Sequence, residues 1–137
     1  MSNIKRTTRE HIKDYLYNYK WLDTEIKLIR ESIITPYIEE DTNIGGGQSN
    51  LMSSPDEAKA IKLADNIRLT QLERMKWAID DVYDQVDDTG KTFMELYYFK
   101  KKYQIKGAAD EAGISERTAT RLNTKILIEI AERVGWY

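Results

Sequence analysis

The run Ile105-Lys106-Gly107-Ala108-Ala109-Asp110-Glu111-Ala112-Gly113-Ile114-Ser115-Glu116-Arg117 leaves this chain few ways to fold locally. Ala108, Ala109 and Ala112 are small enough to let two helices approach closely. Gly113 stands where the chain must reverse, and glycine takes the left-handed backbone at no steric cost. Ile114 can then fill the angle between the helices. Ser115 is placed to cap a second helix by accepting a bond from an otherwise unpaired N–H of its first turn. The pattern predicts a short helix, a tight turn and a second helix that continues through Ile126, Leu127, Ile130 and Val134 to Gly135. Ala119, Leu122 and Ile126 are expected to face inward.

Two helices crossing steeply about such a turn form a helix-turn-helix, the unit that lays its second helix in the major groove of DNA. The candidate DNA-binding residues are Ser115, Glu116, Arg117, Thr120, Arg121, Thr124 and Lys125. Arginine can grip guanine through two parallel hydrogen bonds, and threonine can serve bases or phosphates. Lys125 lies further along and suits a backbone phosphate. Glu116 suits a cytosine amino group or an ion pair that orients an arginine. The bland counterpart of this reading is a packed helical hairpin that touches no nucleic acid.

The net charge of −2 is unusual for a DNA binder, but the charge is unevenly spread. Residues 1–35 carry +2, residues 36–89 carry −7 and residues 90–137 carry +3. The basic footprint therefore coincides with the C-terminal part, and the acid sits in the middle. That acidic block is a solvated helix face or a surface for a basic protein partner.

The rest of the chain is patterned for long helices. Thr7 and Glu10 have capping-box spacing. Tyr15, Tyr19, Leu22, Ile26, Ile29 and Ile33, widened by Ile12 and Leu16, form a heptad stripe over residues 8–34. Thr35-Pro36 ends it, because the residue before proline disfavours helix. A Gly-rich linker over residues 35–54 follows, with Gly45-Gly46-Gly47 at its centre. No Lys-Ser or Lys-Thr pair follows the glycines, so a nucleotide-binding P-loop is not supported.

Ser54, Pro55 and Glu57 then have the placing of a cap, a first helical residue and a capping box. Ile61, Ala64, Leu72, Met75, Ile79, Val82 and Val86, with Ile67 alongside, predict a buried stripe over residues 55–87. A third helix is expected over residues 92–103, carrying Phe93, Leu96, Tyr97 and Phe99. Lys100, Lys101 and Lys102 close it, complementing the helix dipole and offering phosphate contacts. The fold class expected is all-α. Residues 1–88 would form two long helices for oligomerisation or partner binding, and residues 89–137 a DNA-binding domain.

Two resemblances sharpen this. The helix Phe93-Met94-Glu95-Leu96-Tyr97-Tyr98, the Ala109/Gly113-Ile114-Ser115 core and the helix with Arg117 and Arg121 resemble the sigma-factor domain that reads the −35 promoter element. Thr35-Pro36-Tyr37-Ile38, Asp41-Thr42-Asn43-Ile44-Gly45-Gly46, Tyr97-Tyr98-Phe99 and Ile114-Ser115-Glu116-Arg117-Thr118-Ala119 resemble, in that order, the RinA family of phage transcriptional activators. The related ArpU group is similar as well. This resemblance implies a regulator of late packaging and morphogenesis genes in temperate phages of Gram-positive bacteria, acting on promoter DNA with host RNA polymerase. The length and heptad spacing of the two long helices suit either an internal core or a dimer seam, and the lack of cysteine fits a reducing bacterial cytoplasm. The chain has no room for a promoter-melting domain, so it would assist polymerase rather than replace a sigma factor.

Other classes find less support. With no cysteine, disulfides and thiolate metal sites are excluded. No apolar run follows Met1-Ser2-Asn3-Ile4-Lys5-Arg6, so neither a signal peptide nor a membrane span is expected. His11 is the single histidine, and Asp80-Asp81 and Asp87-Asp88 are adjacent pairs that do not converge on one helix face. An enzyme, a cofactor or a metal is therefore not expected. Two alternatives stay open. One is a DNA-recognising packaging component of small-terminase type. The other is a helical interaction module using Tyr15, Tyr17, Tyr19 and Trp21, of which Tyr17 and Trp21 lie beside the main stripe and are the better candidates, with the acidic residues Asp80, Asp81 and Asp84.

Overall fold

The structure is a computed structural model that describes residues 4–34 and 55–137. Among these residues the chain is all-helical. In chain order come α1 (Arg6–Tyr17), α2 (Tyr19–Ile34), α3 (Pro55–Gln85), α4 (Asp88–Met94), a π-helical turn (Glu95–Phe99), α5 (Ile105–Ala112) and α6 (Glu116–Val134). The expected linker over residues 35–54, with its Thr35-Pro36 stop, its glycine run and the Ser54 cap, lies outside the described residues.

Packing groups the chain into two compact units: Met1–Leu22 with Arg74–Tyr137, and Asp23–Glu73. The expectation drew its boundary at residue 88, whereas α1 shares a core with the C-terminal helices. In the larger unit α6 packs against α1 and α5, α1 also meets the π turn, and α4 packs on α5. Ile12 and Leu16 of α1 are fully buried, as are Ile79 and Val82 of α3, Phe93 and Met94 of α4, and Ile130 of α6. Truncating such a side chain to alanine typically costs about 2–5 kcal/mol, so this shared core fixes where α6 lies.

The first long helix of the sequence reading is two helices. At Asn18 the backbone leaves helical geometry, with φ −108° and ψ 25°. Its N–H and its side-chain amide both donate to the Asp14 carbonyl, at 3.0 and 2.8 Å. The N–H groups of Trp21 and Leu22 then donate to the Asn18 carbonyl and restart the ladder as α2. Asparagine offers the backbone this local alternative, which is why it weakens helix interiors. The start differs too: α1 begins at Arg6 behind Lys5, and no side chain caps it.

The third expected helix begins earlier and ends earlier. Asp87 caps α4 by accepting from the Gly90 N–H at 2.8 Å. The last turn opens to π geometry, in which the Lys100 N–H donates to the Glu95 carbonyl five residues back. Lys100 ends that turn and Lys101 takes φ +50°, so the lysines occupy the loop beyond the helix.

The smaller unit has a slim interior. Ile26 and Leu72 are buried, while the ion pairs Glu25–Arg68 and Arg30–Glu73 join the two helices at their surface. The α3 stripe was expected to be buried from Ile61 onward. Burial holds for Leu72, Met75, Ile79 and Val82, but Ile61 and Ile67 are 59% and 52% exposed and Ala64 is exposed.

The turn between α5 and α6 follows the chemistry expected of it. Gly113 has φ +79°, the Ile114 N–H donates to the Ala109 carbonyl and the Gly113 N–H to Asp110. This is a Schellman closure. A Cβ at Gly113 would meet nothing within 4 Å, so its cost is conformational alone. Gly113→Ala should therefore lower stability by about 1–2 kcal/mol, and Gly113→Asn by less. Denaturant midpoints of the three proteins check this ranking.

Candidate nucleic-acid interface

Helix α6 is held at its start by one side chain. Ser115 Oγ accepts from the Thr118 N–H at 3.1 Å and lies 3.0 Å from the Thr118 hydroxyl. Behind that cap, Ala108 and Ala109 of α5 and Ala119 of α6 are fully buried, so the two helices meet through methyl groups. Ile114 is half-buried at the turn. Leu122, expected to face inward, is also only half-buried.

The cap and the inward register turn the opposite face outward. Ser115, Glu116, Arg117, Thr120, Arg121 and Lys125 are exposed, and Thr124 is half-exposed. Neither Arg117 nor Arg121 takes part in an ion pair among the described residues. Lys125 lies 3.8 Å from Glu129 in a pair whose lysine side chain is 73% exposed, a weak tether in water. The Thr120 hydroxyl donates to the Glu116 carbonyl at 3.0 Å, and the Thr124 hydroxyl to Thr120 at 3.1 Å. Both hydroxyl protons are thus spent on the helix itself. What these threonines offer a partner is an acceptor lone pair and a methyl group.

The three lysines are exposed on the loop that leads into α5. Lys101 Nζ lies 5.9 Å from the centre of the Tyr17 ring, and Lys102 Nζ the same distance from Tyr103. The structure therefore gives two sets, one on a regular helix and one on a loop. The described residues contain no cluster of three or more His, Cys, Asp or Glu placed to hold a metal ion. His11 is exposed and stacks on Trp136, with ring centres 4.9 Å apart.

Two residues behind this face carried no expected site role, although Tyr98 belongs to the Tyr97-Tyr98-Phe99 patch of the RinA resemblance. Asn123 is the one buried polar side chain among the described residues, and it lies on the inner side of α6. The Tyr98 hydroxyl, fully buried, donates to Asn123 Oδ1. Burial, with the Tyr97 and Tyr17 phenols nearby, pushes the Tyr98 hydroxyl well above its ordinary range, so it stays a donor. The signal was present: Ala119, Asn123, Ile126 and Ile130 recur at helical spacing, which puts an amide in an otherwise apolar stripe.

Fold and site together define an all-helical protein with a Gly-turned, Ser-capped helix pair and an exposed Arg/Thr face. Residues 4–132 match the family described as "Protein of unknown function (DUF722)". The chain is 32% identical over 132 residues to the transcriptional activator rinA of Staphylococcus phage phi11, covering 96% of this chain and 94% of that one. It belongs to this family, the RinA family of phage activators. No solved structure matches it.

The C-terminal end of α6 is fastened to α3. Arg133 Nε donates to Asp81 Oδ2 at 2.7 Å, and its Nη2 to Gln85 Oε1 at 3.2 Å. Its side chain is 20% exposed and that of Asp81 32%. Arg133→Met should cost about 1–2 kcal/mol, in line with hydrogen bonds to a charged group that is partly screened. Arg30→Met, from a pair whose side chains are 54% and 38% exposed, should cost about 0.5 kcal/mol or less. Urea unfolding of both variants at low and high salt measures the contrast.

Proposed function

We propose that this chain is a sequence-specific DNA-binding activator of phage late transcription. In this reading α5 and α6 form a helix-turn-helix and α6 reads the major groove. The observation that carries it is the outward face of α6, where Arg117 and Arg121 stand exposed, without ion pairs among the described residues, on a capped, core-anchored helix. Its membership of a family that includes the rinA activator supports the same reading. Arg117, Thr120 and Arg121 make base contacts, with Glu116 orienting an arginine or accepting from cytosine. Ser115, Thr124 and Lys125 flank them. Lys100, Lys101 and Lys102 neutralise backbone phosphates from the adjoining loop.

This assignment separates two kinds of loss. Arg121→Ala should weaken binding to the preferred duplex by about 1–3 kcal/mol and relax the preference at one base pair. Lys125→Ala should instead weaken binding to all duplexes alike and flatten the salt dependence by about one counterion. Duplexes selected from a random pool, followed by titrations at several salt concentrations, make the comparison. A wild-type protein that retains no duplex at low salt overturns the reading.

The smaller unit is proposed to pair with a second copy. Leu28, Ile61, Leu63 and Ile67 are 52–61% exposed on helical stretches whose described interior is only Ile26 and Leu72. A second copy would cover such side chains, and paired readers would span two half-sites about one helical turn apart. Light scattering should give twice the chain mass for the wild type and the single-chain mass for Leu63→Glu/Ile67→Glu. A monomeric wild type overturns the pairing, and a large ring redirects the reading to a packaging component.

Contact with host polymerase is the remaining part of the proposal. The acidic residues considered for it are partly engaged within the fold. Asp80 accepts from Tyr19 and Lys76, and Asp81 pairs with Arg133. The exposed Asp84 is the better placed of the three.

A further inference from the structure

We infer that the buried Tyr98–Asn123 hydrogen bond sets the rotation of α6 about its own axis, and so decides which of its side chains can face the bases. The inference rests on α6 being the reading helix, as proposed above.

The two halves of α6 are anchored differently. Its C-terminal half buries Ile126, Leu127, Ile130, Ala131 and Val134. Its N-terminal half, which carries every proposed base contact, buries only Ala119 and Asn123. A methyl group on a smooth alanine contact gives little resistance to rotation, because apolar burial has no preferred direction. A hydrogen bond does have one, since it weakens steeply as its angle departs from linear. Asn123 lies two residues from Arg121 and two from Lys125, which puts it on nearly the opposite side of the helix from both. Among the described residues its amide makes the one side-chain hydrogen bond that ties the N-terminal half of α6 to another element.

The donor is itself held. Tyr98 belongs to the π turn, a departure from regular helix that costs regular packing and tends to persist where it places a side chain. The Tyr17 ring lies 5.1 Å and the Tyr97 ring 4.7 Å from that of Tyr98, tilted and edge-on. Tyr17 comes from α1 and Tyr97 from the π turn, so the phenol is wedged between elements that do not carry the reading face. A constellation that must grip a base edge tolerates about 10–20° of misorientation. Rotation of that size is what the bond is placed to prevent. Tyr98 and Asn123 are on this argument positioning residues, and neither touches DNA.

The test separates positioning from simple stabilisation. Tyr98→Phe leaves the Asn123 amide buried without its donor, whereas Tyr98→Phe/Asn123→Leu removes both partners and returns most of the stability. Each protein is titrated, well below its melting temperature, with the selected duplex and with a random duplex of equal length. We expect both variants to lose about tenfold in affinity for the selected duplex and to keep their affinity for the random one. The double variant should do so even with its melting temperature near that of the wild type. Amide hydrogen exchange without DNA supplies the second measurement. Residues 118–125 should exchange faster in both variants while residues 126–134 keep their protection. A double variant with the wild-type ratio of affinities, or with unchanged exchange in residues 118–125, overturns the inference. A wild type that prefers no duplex overturns the DNA reading instead, and the exchange measurement still decides whether the bond orients α6.

Discussion

The larger unit depends on one face of α6 being buried along the helix. Ala119, Ile126, Leu127, Ile130, Ala131 and Val134 run down that face, and α1 and α5 both pack on the helix. A helix of 19 residues rises about 28 Å, so this face is long enough to serve as a spine. Because its inner face is committed, its outer face cannot turn away from solvent. The exposure of Arg117, Thr120 and Arg121 is thus a consequence of the core as much as of their own polarity. A surface patch held this way is pre-organised, and a ligand meeting it pays little to order it.

What could be read from the sequence was the chemistry that acts within a few residues. The Gly113 turn, the Ser115 cap and the outward set from Glu116 to Lys125 are each fixed by neighbours three to five positions away. The Asn18 break was harder to see. The heptad of Tyr15, Tyr19, Leu22 and Ile26 passes through it without a proline or glycine, and the reversal of the Asn18 amide onto Asp14 leaves no trace in hydrophobic period. The π turn was equally silent, since Phe93, Leu96, Tyr97 and Phe99 suit an ordinary helix. The packing of α1 on α6 joins residues more than a hundred positions apart, and periodicity carries no information about such pairing. Over-reading occurred at Ile61, Ala64 and Ile67. An apolar stripe states which residues need cover, and the described fold covers only the part from Leu72 onward.

The tyrosines show how composition can mislead. Tyr17 looked like a contact residue because it lies beside the main stripe. In the fold its ring packs on Tyr97 and Tyr98, and burial with the Tyr97 hydroxyl pushes its own phenol up. Tyr83 donates to Glu95, which raises its phenol to about 12, and Tyr19 donates to Asp80. These hydroxyls serve the internal network of the larger unit. Trp21, by contrast, is 67% exposed, so of the two better aromatic contact candidates it alone stays on the surface.

The division between helix and loop bears on how affinity and specificity are divided in the proposed reader. Phosphate contacts carry a large share of the free energy of DNA binding and tolerate small displacements, because a lysine ammonium acts as a point charge. Base contacts are the reverse: a guanidinium fork grips a guanine only when it is aligned. The lysines 100–102 stand on a connecting loop, and the arginines 117 and 121 stand on a helix whose inner face is core. Charge that tolerates motion is placed where the backbone is irregular, and planar hydrogen-bonding groups are placed where it is regular. The packed helical hairpin that touches nothing would have no use for this separation.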